Sequence, residues 1–136
     1  MIAQTKGREG FALAASANEI YVTGGTITGT DNGINNSVIK FNLSDCLFKF
    51  VSAMHHARAY HSSTVVGDKL VVIGGSDGGS NLLDSIELIN LMQWAAPEII
   101  KMNRGISYAS VVAIDSTNIL ICGGWTASSE ATSDII

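Results

Sequence analysis

Three times along this chain a largely apolar run of four residues ends in a glycine doublet. The runs are Ile20-Tyr21-Val22-Thr23 before Gly24-Gly25, Leu70-Val71-Val72-Ile73 before Gly74-Gly75, and Ile119-Leu120-Ile121-Cys122 before Gly123-Gly124. The doublets start at 24, 74 and 123, a spacing of 50 and then 49 residues. Self-similarity at such a period means that one supersecondary unit is repeated, each copy burying its apolar face against the next. Function in such arrays sits in the loops that differ between copies.

The residues around the doublets read as strands and turns. Apolar segments are short, rich in Val and Ile, and punctuated by Gly, Asn, Asp and Ser, with a single proline, Pro97. Arg8 and Arg58 each stand 16 residues before their doublet, and Arg104 stands 19 before. The surplus is assigned to a longer turn, Asp115-Ser116-Thr117-Asn118, where the second copy has Gly67-Asp68-Lys69. Each unit then offers four strands. The first spans 10–15, 60–66 and 106–113, and the second is the run into the doublet. The third spans 38–43 and 85–91 and starts again at 135–136; the fourth spans 48–52 and 94–100. Residues 2–5 read as a partial fourth strand ahead of Arg8. A strand that ends in Gly-Gly suits a site where the chain turns sharply and neighbouring units crowd, because glycine tolerates positive φ and carries no Cβ. Four antiparallel strands every 46 to 50 residues (units 8–57 and 58–103) match one blade of a β-propeller.

The succession of arginine, apolar strand, Gly-Gly, polar loop and two spaced aromatics resembles the kelch repeat. In that family a Tyr follows the doublet, with a Trp seven residues further on. Here Phe41 and Phe48 hold those places, whereas in the second unit Ile89 takes the Tyr place and Trp94 follows five residues later. The resemblance implies an all-β fold, a partial β-propeller of four-stranded antiparallel kelch blades. It covers one region, 1–136, with units at 8–57 and 58–103 and an incomplete unit at 104–136. Such a piece leaves two open sheet edges. Further blades of a longer chain, or a homodimer completing a six-bladed ring, are the expected ways to cover them.

Composition narrows the function classes. With 46% hydrophobic and 15% charged residues, the chain has the makings of a buried core and the opposite balance to a disordered segment. The net charge is −4 and the eight basic residues are scattered, so no stripe for nucleic acid forms. No apolar stretch reaches the length of a membrane span and the first ten residues lack a signal-peptide core, so no membrane association and a cytoplasmic location are expected. Cys46 and Cys122 share no metal-ligand spacing and read as free, buried thiols. No metal and no cofactor are expected.

Kelch adaptors contact acidic peptides through residues at the start of the first strand and just after the doublet. By that resemblance the rim candidates are Arg8, Arg58, Arg104, Thr26, Ser76, Asp77 and Trp125, arginine supplying a planar fork for carboxylates. The competing reading makes the arginines structural bridges between blades, and recurrence in every unit favours it. Tyr60 and His61 join the rim candidates. With His55 and His56 they form the most chemical-looking stretch, but no third metal ligand is evident. Strand alternation sends Tyr60 and His61 to opposite faces, and the histidines read as exposed or hydrogen-bonded rim groups. The loop Ser76-Asp77-Gly78-Gly79-Ser80-Asn81 lacks the lysine and helix of a phosphate cradle. The expected function is a non-enzymatic scaffold that binds a protein or peptide through rim loops. A structural building block of a larger assembly, or a kelch-type enzyme such as a sugar isomerase or copper oxidase, are the alternatives. The latter would need convergent histidines or a buried carboxylate pair, and Glu19, Asp68 and Asp115 all read as turn residues.

Overall fold

The computed structural model describes residues 7–29, 33–127 and 133–135, and within them the chain is all β. The first unit comprises β1 (Arg8–Glu9), β2 (Ala12–Ser16), β3 (Glu19–Thr23), β4 (Thr26–Ile27), β5 (Ser37–Asn42) and β6 (Leu47–Ala53). The second holds β7 (Ser62–Val66), β8 (Lys69–Ile73), β9 (Ser85–Asn90) and β10 (Glu98–Lys101). The third contributes β11 (Ser110–Ala113), β12 (Ile119–Cys122) and β13 (Ser133–Ile135). Two four-stranded antiparallel sheets, β2-β3-β5-β6 and β7-β8-β9-β10, are followed by a three-stranded one, β11-β12-β13. The expected N-terminal strand at 2–5, and Ile136, lie outside the described residues.

The apolar run before the second doublet is explained by what lies on either side of it. In β8, Leu70 and Val72 join Ala14, Tyr21, Val38, Met54 and Ile89 in the core shared with the first sheet. Their alternates Val71 and Ile73 join Ile86, Ile106 and Ile121 in the core shared with the third. Successive side chains point to opposite faces, so a strand flanked by sheets on both sides has no polar face to alternate with. Burial of one such side chain contributes ~1.5–3 kcal/mol. The inner strands make the same join, β2 packing on β7 and β7 on β11. The outward flanks of the array are different: Phe11 and Leu13 on one side, and Val112 and Ile114 on the other, stay exposed.

The doublets close these joins. Gly25 N donates to Arg58 O (2.8 Å) and Gly75 N to Ile106 O (2.7 Å), so each doublet is tied to the start of the following unit. The first glycines, Gly24 and Gly74, have φ of 55° and 62°. A Cβ there would collide with those same carbonyls of Arg58 and Ile106. The second glycines face the preceding residue of their own unit. A Cβ on Gly25, Gly75 or Gly124 would lie 2.8, 2.7 or 2.9 Å from the carbonyl oxygen of Glu9, Ala59 or Ser107. Both positions require glycine for conformation and for space.

Two expectations change. Trp94 does not open the outer strand, which starts at Glu98. Its amide donates to Asn90 O (3.0 Å) as the amide of Cys46 donates to Asn42 O (3.0 Å), and both residues have positive φ (51° and 54°). Trp94 therefore ends the β9–β10 turn at the place of Cys46 rather than of Phe48, and its ring reaches Tyr21 in the first sheet, 6.1 Å between centroids. The partner of Phe48 is Phe41, directly across β5–β6 at 4.7 Å. The thiols are free, but both Cys46 and Cys122 are exposed, one on the β5–β6 turn and the other on the outward flank of the third sheet.

Candidate partner-binding rim

The register of the units is fixed by backbone bonds that recur. Tyr60 N donates to Gly10 O (2.6 Å) and Tyr108 N to Tyr60 O (2.9 Å), a relay that crosses all three units at the mouth of the inner strands. Gly10, Tyr60 and Tyr108 share a left-handed backbone, φ 63°, 57° and 56°. Glycine takes this conformation freely; a tyrosine holds it at a cost of ~1–2 kcal/mol. The two rings stack at 4.7 Å and 25°, and Tyr108 keeps 60% of its surface exposed.

The post-doublet residues meet this relay from the side. Thr26 pairs with Glu9, Ser76 with Ala59 and Trp125 with Ser107, each partner directly preceding a member of the relay. Thr26, Ser76, Trp125, Tyr60 and Tyr108 thus lie on one rim, with Trp125 60% exposed. Asp77 begins the exposed loop that follows. Its carboxylate accepts from Gly79 N (3.0 Å) and Asn81 Nδ2 (3.2 Å), which hold it below the usual carboxylate range.

The arginines take another role. Arg58 is 0% exposed. Its Nη1 donates to Gly74 O (2.7 Å) and Ser85 O (3.3 Å), and its Nη2 to Ser85 Oγ (3.0 Å) and to the Glu87 carboxylate. Glu87, also 0% exposed, accepts in addition from His55 N (2.6 Å) and His56 N (3.0 Å). The connection between the first two sheets is therefore pinned to the middle of β9. Arg58 is buried away from any ligand, and its side-chain bonds all run within its own unit, so it braces a blade rather than bridging two. Arg8 repeats the bond, Nη1 donating to Gly24 O (2.7 Å) and Ser37 Oγ (3.1 Å), but Ile39 stands where Glu87 would be.

Arg104 needs a correction. Met54 N bonds Asn36 O as Met102 N bonds Asp84 O, and Arg58 O bonds Gly25 N as Ile106 O bonds Gly75 N. The third-unit counterpart of Arg58 is hence Ile106, buried in the second core, and Arg104 corresponds to His56. The longer turn accounts for one surplus residue, not three.

His61 also leaves the rim. It is 6% exposed beneath the first join, where its Nε2 lies 2.8 Å from Thr23 Oγ1. Burial, and secondarily the Arg58 charge, depress its pKa to about 3. Tyr60 and His61 both precede β7 and part company: Tyr60 stacks on Tyr108 while His61 is buried against Thr23. His55 and His56 are exposed and meet edge to face at 4.6 Å. Among the described residues no three His, Cys, Asp or Glu side chains gather as metal ligands.

Residues 57–95, from the Arg58 brace to the end of the β9–β10 turn, match the family model described as Kelch motif. The second unit carries a kelch motif. The chain is 36% identical over 80 residues to mouse Kelch-like protein 30, covering 58% of this chain and 13% of that protein. It is 40% identical over 68 residues to the human Kelch-like protein 30, covering 49% and 12% of the two chains. Zebrafish Kelch-like protein 21 is 40% identical over 65 residues, 48% of this chain and 10% of its own. The chain thus spans about an eighth of the length of these relatives. Its four-stranded antiparallel sheets are consistent with kelch blades, and no closed ring forms among the described residues.

Tyr108 and Glu87 escaped the sequence reading. Tyr108 stands two residues after Ile106 as Tyr60 stands two after Arg58, a match hidden by aligning on Arg104. Glu87 is the single charge in an apolar strand, on the same face as buried Ile89, and that alternation was the available signal.

Proposed function

We propose that this kelch segment is a non-enzymatic interaction module that takes a protein or peptide on the rim carrying Tyr60, Tyr108 and Trp125. The observation that supports this is the Tyr60–Tyr108 stack. Two tyrosines held in a conformation that costs energy, with the outer ring exposed, are poorly explained by folding alone. Large aromatics on a rigid scaffold are the residues on which binding energy concentrates. Arg58 and Glu87 neutralise each other in the interior and His61 is walled in, which withdraws these three groups from the surface.

A photo-crosslinking residue placed at position 125 tests the reading, with Leu47 on the opposite rim as control. Adducts from cell extract should form at 125, and Tyr108→Ala should abolish them. Equal adducts at 125 and 47, insensitive to that substitution, would sink it. The exposed flanks at Leu13 and Val112 support a second contact, with further repeats of the same kind. Whether these come from the same chain or a second copy is read from solution mass by light scattering.

A further inference from the structure

Resting on that rim, we infer that its ligand is cationic: an arginine or lysine side chain of a basic peptide segment, seated on the aromatic shelf of Tyr60 and Tyr108. The π faces of stacked phenols are electron-rich and attract a guanidinium or ammonium placed over them. On this shelf the outer face belongs to Tyr108, and Trp125 offers a third exposed ring one strand pair away, across from Ser107.

The charges on this rim have the complementary sign. Glu9 directly precedes Gly10 in the relay and is the foremost influence raising the Tyr60 phenol. Asp77 follows the second doublet and is kept anionic by its loop amides. The cations that would draw an acidic ligand are engaged: Arg58 with Glu87, Arg8 with Gly24 O and Ser37 Oγ, Lys101 with Asp84 at 3.2 Å. Arg104 also has an interaction of its own within the chain. The expectation of an acidic peptide rested on three rim arginines. Two of them serve the fold and the third stands at a different position, so the shelf carries π faces and carboxylates instead.

Isothermal titration of the chain with two nine-residue Gly/Ser peptides tests this, one bearing three arginines and the other three glutamates at the same places. The arginine peptide should bind. Tyr108→Ala should weaken it about tenfold and Tyr108→Phe, which keeps the ring face, should retain it. Glu9→Gln should weaken it about threefold, while Asp45→Asn, an equal loss of charge on the opposite rim, should leave it unchanged. Preference for the glutamate peptide, lost in Tyr108→Ala, would keep the rim as the binding site and overturn the cationic ligand. Binding that Asp45→Asn weakens as much as Glu9→Gln would mean diffuse attraction to a net-negative protein and overturn the inference. Indifference to Tyr108→Ala, or binding of neither peptide, would overturn it as well.

Discussion

Tyr108 hangs by its amide from the carbonyl of Tyr60 and lays its ring on the Tyr60 ring, so one residue repeats in backbone and side chain the pose of another 48 positions earlier (108 against 60). The left-handed backbone that makes this pose costs about as much as the stack returns. Replacing Tyr108 with glycine should therefore change unfolding free energy by less than about 1 kcal/mol while it abolishes rim adducts. Denaturant unfolding beside the crosslinking assay checks both. A loss above ~2 kcal/mol would make the tyrosine a stabilising device rather than a binding one.

Arg58 and Glu87 should behave as a unit. Arg58→Met leaves an unpaired carboxylate in the interior and Glu87→Leu leaves an unpaired guanidinium, each costing about 3–5 kcal/mol. The double variant should cost markedly less than the sum, because neither charge is then left alone. Urea unfolding of the three variants closes the cycle; additive costs would mean that the two groups do not communicate.

His61 gives the protein an acid-sensitive joint. Its folded pKa, about 3, is depressed from an unfolded value near 6.5, so the unfolded chain takes up the proton first. The contribution of neutral His61 is complete above pH ~6.5 and declines as pH falls toward 3, by up to about 1.4 kcal/mol per pH unit. Between pH 6.5 and 5, above the range where carboxylates titrate, His61→Gln should flatten the stability profile. An unchanged slope in that variant would assign the sensitivity elsewhere.

The two glycines that open the second and third doublets should respond very differently to alanine. Gly74 faces the carbonyl of Ile106 and has no room for a Cβ, whereas a Cβ on Gly123 meets nothing within 4 Å among the described residues. Both pay for positive φ, so Gly123→Ala should cost ~1–2 kcal/mol and Gly74→Ala considerably more. Thermal melts of the pair isolate the cost of prising one blade from the next; equal midpoints would show that the join is soft.

Most of the fold was legible because the doublet spacing and the strand alternation are local and repeated. Strands β2, β3, β5, β8, β9 and β12 fall where the apolar runs put them. The short pairing of β1 with β4 left no such mark, being two residues long on each side. The rim was harder. Thr26, Ser76 and Trp125 follow from counting past a doublet, but the arginine count failed in the third unit, where Ile106 keeps the backbone role and drops the side-chain one. Residue identity was the wrong ruler; the repeated carbonyl bonds were the right one. Burial of His61 and Arg58 depends on sheets meeting across 50 residues, which no local pattern reports.

The bonds from Gly25 to Arg58 and from Gly75 to Ile106 also give the array a direction in time. Each sheet is latched by residues made 33 or 31 positions later (25 to 58, and 75 to 106). At ~5–20 residues per second, a ribosome delivers that latch roughly 2 to 7 s after the doublet it closes. A nascent blade spends the interval with one face bare, open to a chaperone or to the wrong neighbour, and sets only when its successor arrives.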